Sequence, residues 1–121
     1  MVDNLIYSII IPSYNRSDEI NELLTSLAKI EFEADHFEVI IADDGSTDGT
    51  NDLVQNFQKS VPFALHYLSQ KNQGPGAARN LGMSKANGDF FIFLDSDVTV
   101  PHYWIKKTPE MIFRRFSECT N

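Results

Sequence analysis

The chain is short of basic residues, carries a single cysteine and has no long apolar run, and each shortage removes a class of protein. Its 10 lysines and arginines face 17 aspartates and glutamates, for a net charge of -7. Binders of nucleic acid or anionic membrane need a basic surface for phosphate contacts, so neither partner is expected. Cys119 has no second cysteine to pair with, which excludes an internal disulfide and fits a reducing compartment. No apolar stretch approaches the roughly 20 residues of a bilayer span, so no transmembrane segment is expected. The amino end, Met1-Val2-Asp3-Asn4, lacks the basic region of a secretory leader. The expected location is the cytoplasm, including the inner face of the membrane.

What is present suits one domain over residues 1–121, large enough to bury a core without staples. Strand-like and helix-like segments alternate. Leu5 to Ile11 reads as a first strand ended by Pro12, and Ser17 as the N-cap of a helix whose apolar face is Ile20, Leu23, Leu24 and Leu27. Phe37 to Ala42 is a second strand. Thr47 or Thr50 opens a second helix with Leu53, Val54 and Phe57 on its apolar face. Phe63 to Leu68 is a third strand, Ala77 to about Ala86 a third helix, and Asp89 to Leu94 a fourth strand. Asn87-Gly88 suits a helix end at positive φ. A later helical stretch should break near Thr108, ahead of Pro109. Tyr103 and Trp104 are expected to pack that part of the chain onto the sheet.

Repeated strand–helix–strand units with short loops predict an α/β fold: a Rossmann-like parallel sheet with helices on both faces. Loops after successive strands then meet at the carboxyl edge, where open α/β sheets bind ligands. The fourth strand ends in Asp95-Ser96-Asp97. In extended chain the two carboxylates share a face and suit a divalent cation. After the first strand, Tyr14 offers a flat face for a nucleobase. Taken alone, a strand-ending proline followed by a polar turn is the commoner explanation. After the second, Asp43 and Asp44 can accept from a base N–H or a ribose hydroxyl, or cap the next helix in an Asx-type turn. After the third, Gly74-Pro75-Gly76-Ala77-Ala78-Arg79 has Arg79 where a dinucleotide fingerprint needs its last glycine, so NAD binding is rejected. What remains is a helix start aimed at the site, with Arg79 in reach of an anion. His36, His66 and His102 show no ligand spacing and read as surface or loop residues.

These segments together resemble the amino-terminal half of family 2 glycosyltransferases with the GT-A fold, which implies the strand order 3-2-1-4. The matching text is Ser8-Ile9-Ile10-Ile11-Pro12-Ser13-Tyr14-Asn15-Arg16, the run from Ile41 to Thr50, the run from Asn72 to Gly82, and the run from Gly88 to Asp97. The resemblance implies that Pro12, Tyr14 and Asp44 hold the nucleobase, with Asp43 in support. Arg79 would approach the nucleotide or its diphosphate, Asp95 would bond the ribose, and Asp97 would ligate Mn²⁺ or Mg²⁺. It further implies an inverting, metal-dependent transfer from a nucleoside-diphosphate sugar, UDP-linked by preference, to a glycan or lipid-linked acceptor in cell-surface polysaccharide or glycolipid synthesis. The acceptor half of such enzymes, with its catalytic base, has no counterpart here. Neither Glu110 nor Glu118 is nominated as base, and residues 1–121 are read as a donor-binding part, a truncated GT-A fold. The fourth strand's open edge would then favour a homo-oligomer.

Two alternatives carry different expectations. A receiver-like signalling module needs its acidic pair after the first strand, where Pro12-Ser13-Tyr14 stands instead. A nucleotidyltransferase needs a glycine-rich basic loop there, and nothing between Pro12 and Ser17 supplies one.

Overall fold

The computed structural model describes residues 5–104. Its elements are β1 (Tyr7–Ser13), α1 (Ser17–Leu27), β2 (Phe37–Asp43), α2 (Thr50–Gln58), β3 (Ala64–Ser69), α3 (Pro75–Lys85) and β4 (Phe90–Phe93), with one 3-10 turn at Ala34–His36. The sheet is parallel throughout and ordered β3-β2-β1-β4, as the sequence predicts. Ile9 lies opposite Val39 on one side and Ile92 on the other, so the apolar runs stack in register at the centre.

Side-chain alternation divides the core. Odd residues of β1 and β2 (Ile9, Ile11, Val39, Ile41) face Ile20, Leu23, Leu24 and Leu27 of α1 and Val54 of α2, and all are buried. Even residues face α3, which lies close: a Cβ at Gly82 would come within 2.5 Å of the Ile10 side chain. All seven residues of β2 are buried, whereas β4 is half-buried along its length, which is the difference between a central and an edge strand.

Several boundaries differ from the sequence reading, each for a local reason. Pro12 does not end β1 but sits inside it, opposite Ala42. The Ile10 carbonyl accepts from Leu94 N–H, so even positions of β1 bond toward β4. That pairing stops at Phe93 and Leu94, so Pro12 forfeits no ladder bond there. Ser17 is not the N-cap of α1. Arg16 occupies that position without a side-chain cap, and the Ser17 N–H is taken by Asp48 Oδ2 at 2.9 Å. α3 starts two residues early, with Gly74 (φ 104°) as N-cap and Pro75 in the first turn. Asn87-Gly88 does not use positive φ. Gly88 is needed for closeness, since a Cβ there would lie 2.7 Å from Ser8 Oγ and from the Tyr7 backbone.

The charge inside the second apolar run, Glu38, is buried and fully engaged. Its carboxylate accepts from Ser8 Oγ (2.6 Å) and Asn87 N–H (2.7 Å) and meets His66 Nε2 at 3.1 Å. His66 is therefore a strand residue whose exposed side chain is paired with that carboxylate. Trp104 packs against the core as expected, but Tyr103 is 47% exposed. The expected break near Thr108 and Pro109, together with Glu110, Glu118 and Cys119, lies outside the described residues.

Candidate functional site

Four loops leave the carboxyl edge of the sheet, and they border an open cavity of 560 Å³. That volume falls in the range of small-molecule sites, roughly 300–1,000 Å³. Pro12, Tyr14, Asp44, Arg79, Asp95 and Asp97 all line it. The structure thus gathers into one cleft residues that lie far apart in the chain.

The loops after β1 and β2 are laced together. Asn15, at φ 52°, donates its N–H to Ser46 Oγ (2.7 Å), and its side-chain oxygen accepts from Thr47 N–H (2.8 Å). Asp48 joins two helix starts, accepting from Ser17 N–H through Oδ2 and from the Thr50 hydroxyl (2.6 Å) through Oδ1. Burial opposes its ionisation, but the hydrogen bonds from Thr50 and Ser17 outweigh that and hold its carboxyl below the usual range. This lacing fixes the backbone on either side of Tyr14, whose ring stays 48% exposed at the cavity and open to stacking.

Asp43 and Asp44 diverge. Asp43 is completely buried and does not line the cavity; its Oδ1 accepts from Ser46 N–H and Oγ, and its Oδ2 from the Tyr67 hydroxyl. Burial, reinforced by that carboxylate, pushes the Tyr67 phenol well above its ordinary pKa. Asp43 is thus a buried anchor of the loop, behind the cavity lining. Asp44 does reach the cavity, but its carboxylate organises the loop after β3. Oδ1 accepts from Gln70 Nε2 and Gln73 N–H, both at 2.8 Å, and Oδ2 from Asn72 Nδ2 at 3.0 Å and Gly74 N–H at 2.9 Å. The Gln70 amide foremost, with the Gln73 and Gly74 N–H groups, holds this carboxyl below its ordinary pKa against the opposing effect of burial. Four donors on two oxygens bring the start of α3 and Arg79 over the cleft. Arg79 itself forms no salt bridge among the described residues.

At the far side stand Asp95 and Asp97, both exposed, with no side-chain partner among the described residues. Ser96 between them donates to Glu19 Oε1 at 2.8 Å. Four carboxylates (Glu19, Asp44, Asp95, Asp97) line the cavity against two guanidiniums, Arg16 and Arg79. Such a site repels a polyanion unless a cation enters with it. The free oxygens of Asp95 and Asp97 are the hard donors a divalent cation takes, so the donor set fits Mn²⁺ or Mg²⁺. Glu33, Asp35 and His36 form a separate group with closely spaced ligand atoms, outside this cavity and unforeseen from spacing in the sequence.

Sequence reasoning missed Ser13, Glu19, Asp48 and Asn72. Ser13 is 5% exposed, lines the cavity and has a hydroxyl without a hydrogen-bond partner among the described residues. Asp48 had a legible signal, an aspartate two residues ahead of a threonine at a helix start. Ser13, Glu19 and Asn72 had none, since their roles depend on residues from other loops.

A family model described as glycosyl transferase family 2 matches residues 8–116. The chain belongs to that family. It is 36% identical over 112 residues to the poly(ribitol-phosphate) beta-N-acetylglucosaminyltransferase TarS of Staphylococcus aureus, an alignment covering 93% of this chain and 20% of TarS. A solved structure of S. aureus TarS in complex with UDP superposes with a TM-score of 0.79 at 36% identity, over 91% of this chain and 32% of that one. The mannosyltransferase PcManGT of Pyrobaculum calidifontis, in complex with GDP-Man and Mn²⁺, gives 0.75 at 29% identity, over 78% of this chain and 28% of that one. The glycosyltransferase chain thus spans a fifth of the TarS relative's length. The receiver and nucleotidyltransferase alternatives are set aside by this membership. Among the described residues, no helix is long and apolar enough to cross a membrane.

Proposed function

We propose that this chain is the donor-binding part of an inverting, metal-dependent glycosyltransferase that takes a UDP-sugar. The observation that carries the reading is the single cleft shared by Tyr14, Asp44, Arg79, Asp95 and Asp97. Tyr14 stacks on the base. Pro12 and the Asp44-organised loop, including Asn72, wall the base end. Asp95 accepts from the ribose hydroxyls, and Arg79 with the start of α3 faces the diphosphate. Asp97, with Asp95 beside it, would hold Mn²⁺ or Mg²⁺. When bound, such a cation supplies charge neutralisation for a departing nucleoside diphosphate. TarS and PcManGT structures with UDP and with GDP-Man and Mn²⁺ support this assignment by likeness. Attack by a glycan or lipid-linked hydroxyl, its general base, and a role in cell-surface polysaccharide or glycolipid synthesis at the cytoplasmic face of a membrane belong to the same proposal. No described residue is assigned as that base.

Calorimetry with UDP in the presence and absence of Mn²⁺ tests the reading. Binding should strengthen with Mn²⁺, and Asp97→Ala should remove that increment while leaving metal-free binding within about threefold. Metal-dependent binding that survives Asp97→Ala would remove the proposed ligand.

A further inference from the structure

We infer that Glu19 is a positioning residue for the Asp95-Ser96-Asp97 turn, acting through the Ser96 hydroxyl. The inference rests on reading that turn as the cation site. β4 pairing ends where Leu94 N–H meets the Ile10 carbonyl, and the chain is next tied to α1 where Val100 N–H meets Ser26 Oγ at 3.1 Å. Between those points the turn has one internal backbone bond, Val98 N–H to the Asp95 carbonyl, stretched to 3.3 Å. The Ser96–Glu19 bond at 2.8 Å is its one side-chain tether among the described residues.

Glu19 can act as an anchor because its own base is rigid. It stands in the first turn of α1, just before buried Ile20, and the helix start is held by Asp48. Arg16 does not compete for it: Nε lies 3.8 Å away and both side chains are exposed, a pairing worth little in water. A simpler account is that Glu19 only complements the helix dipole, as first-turn acids do. That account gives Ser96 no part, so the two are separable. Outer groups that orient metal ligands typically influence metal affinity by about 10–100-fold.

The test uses the whole 121-residue chain, with Glu19→Gln, Glu19→Ala, Ser96→Ala and the Glu19→Ala/Ser96→Ala double variant, each checked for native circular dichroism. The first readout is amide hydrogen exchange over residues 95–98 without metal. Glu19→Ala and Ser96→Ala should speed it alike, the double variant no further, and Glu19→Gln should leave it unchanged because its amide oxygen still accepts. The second is Mn²⁺ affinity with UDP present: about tenfold weaker in both alanine variants, non-additive in the double, and within about twofold of the parent in Glu19→Gln. Unaltered exchange in Glu19→Ala, independent effects of the two alanines, or a Gln variant as impaired as Ala would overturn the inference. If the parent protein bound no Mn²⁺ with UDP, the functional reading would fall, and the exchange data would still decide whether Glu19 orders the turn.

Discussion

Single side chains at the cleft do work that their neighbours in sequence do not reveal. Ser13 keeps a buried hydroxyl without a partner among the described residues, a state that costs about 1–3 kcal/mol in desolvation. Ser13→Ala should therefore raise the stability of the ligand-free protein by about 1 kcal/mol, read as a higher urea midpoint at unchanged slope. Asp44 carries a pH dependence of known sign. Its folded pKa is depressed by the Gln70 amide and the Gln73 and Gly74 N–H groups. Its stabilisation is thus fully present above the unfolded carboxylate value, about 4, and is lost as pH falls through the lower folded value. Asp44→Asn should weaken the protein at pH 7 and flatten the fall in unfolding free energy between pH 5 and pH 2. An equally steep fall in the variant would show that other acids carry it. In sequence, Asp43 and Asp44 are indistinguishable acids on one loop. Only the neighbours brought by β3 and the loop after it, Tyr67 for one and Gln70 to Gly74 for the other, separate anchor from organiser.

Among the elements, α3 sets the cleft's geometry because its amino end faces the ligand side and its body rests directly on β1. Gly82 permits that approach. An added methyl would meet Ile10 at 2.5 Å, so Gly82→Ala should destabilise by about 1–3 kcal/mol and weaken UDP binding by tilting the helix start. Thermal unfolding with calorimetry on the surviving fold checks both. The existence and type of every described strand and α-helix were legible, since apolar alternation and helical spacing are local. Boundaries were less so. Pro12 reads as a strand end by its own chemistry, and it is tolerated inside β1 only because β4 has already parted from that side. Ser17 reads as a cap, and it loses the role to an aspartate from a different loop.

For the molecule as a whole, β4 pairs only with β1 among the described residues and leaves its outer backbone edge without a strand partner. Such an edge recruits another strand. The chain should associate with itself as concentration rises, seen as an increasing weight-average mass in sedimentation equilibrium. A constant monomer mass up to millimolar concentration would refute it.

The parallel sheet and the meeting of four loops at one edge were determined by the sequence, because hydrophobic period and right-handed crossovers are local rules, and the strand order followed from the family resemblance. The division of labour at that edge was decided by tertiary structure. Whether a carboxylate is buried under a tyrosine, saturated by a neighbouring loop or left open to a cation depends on atoms tens of residues away, and local chemistry carries no record of them.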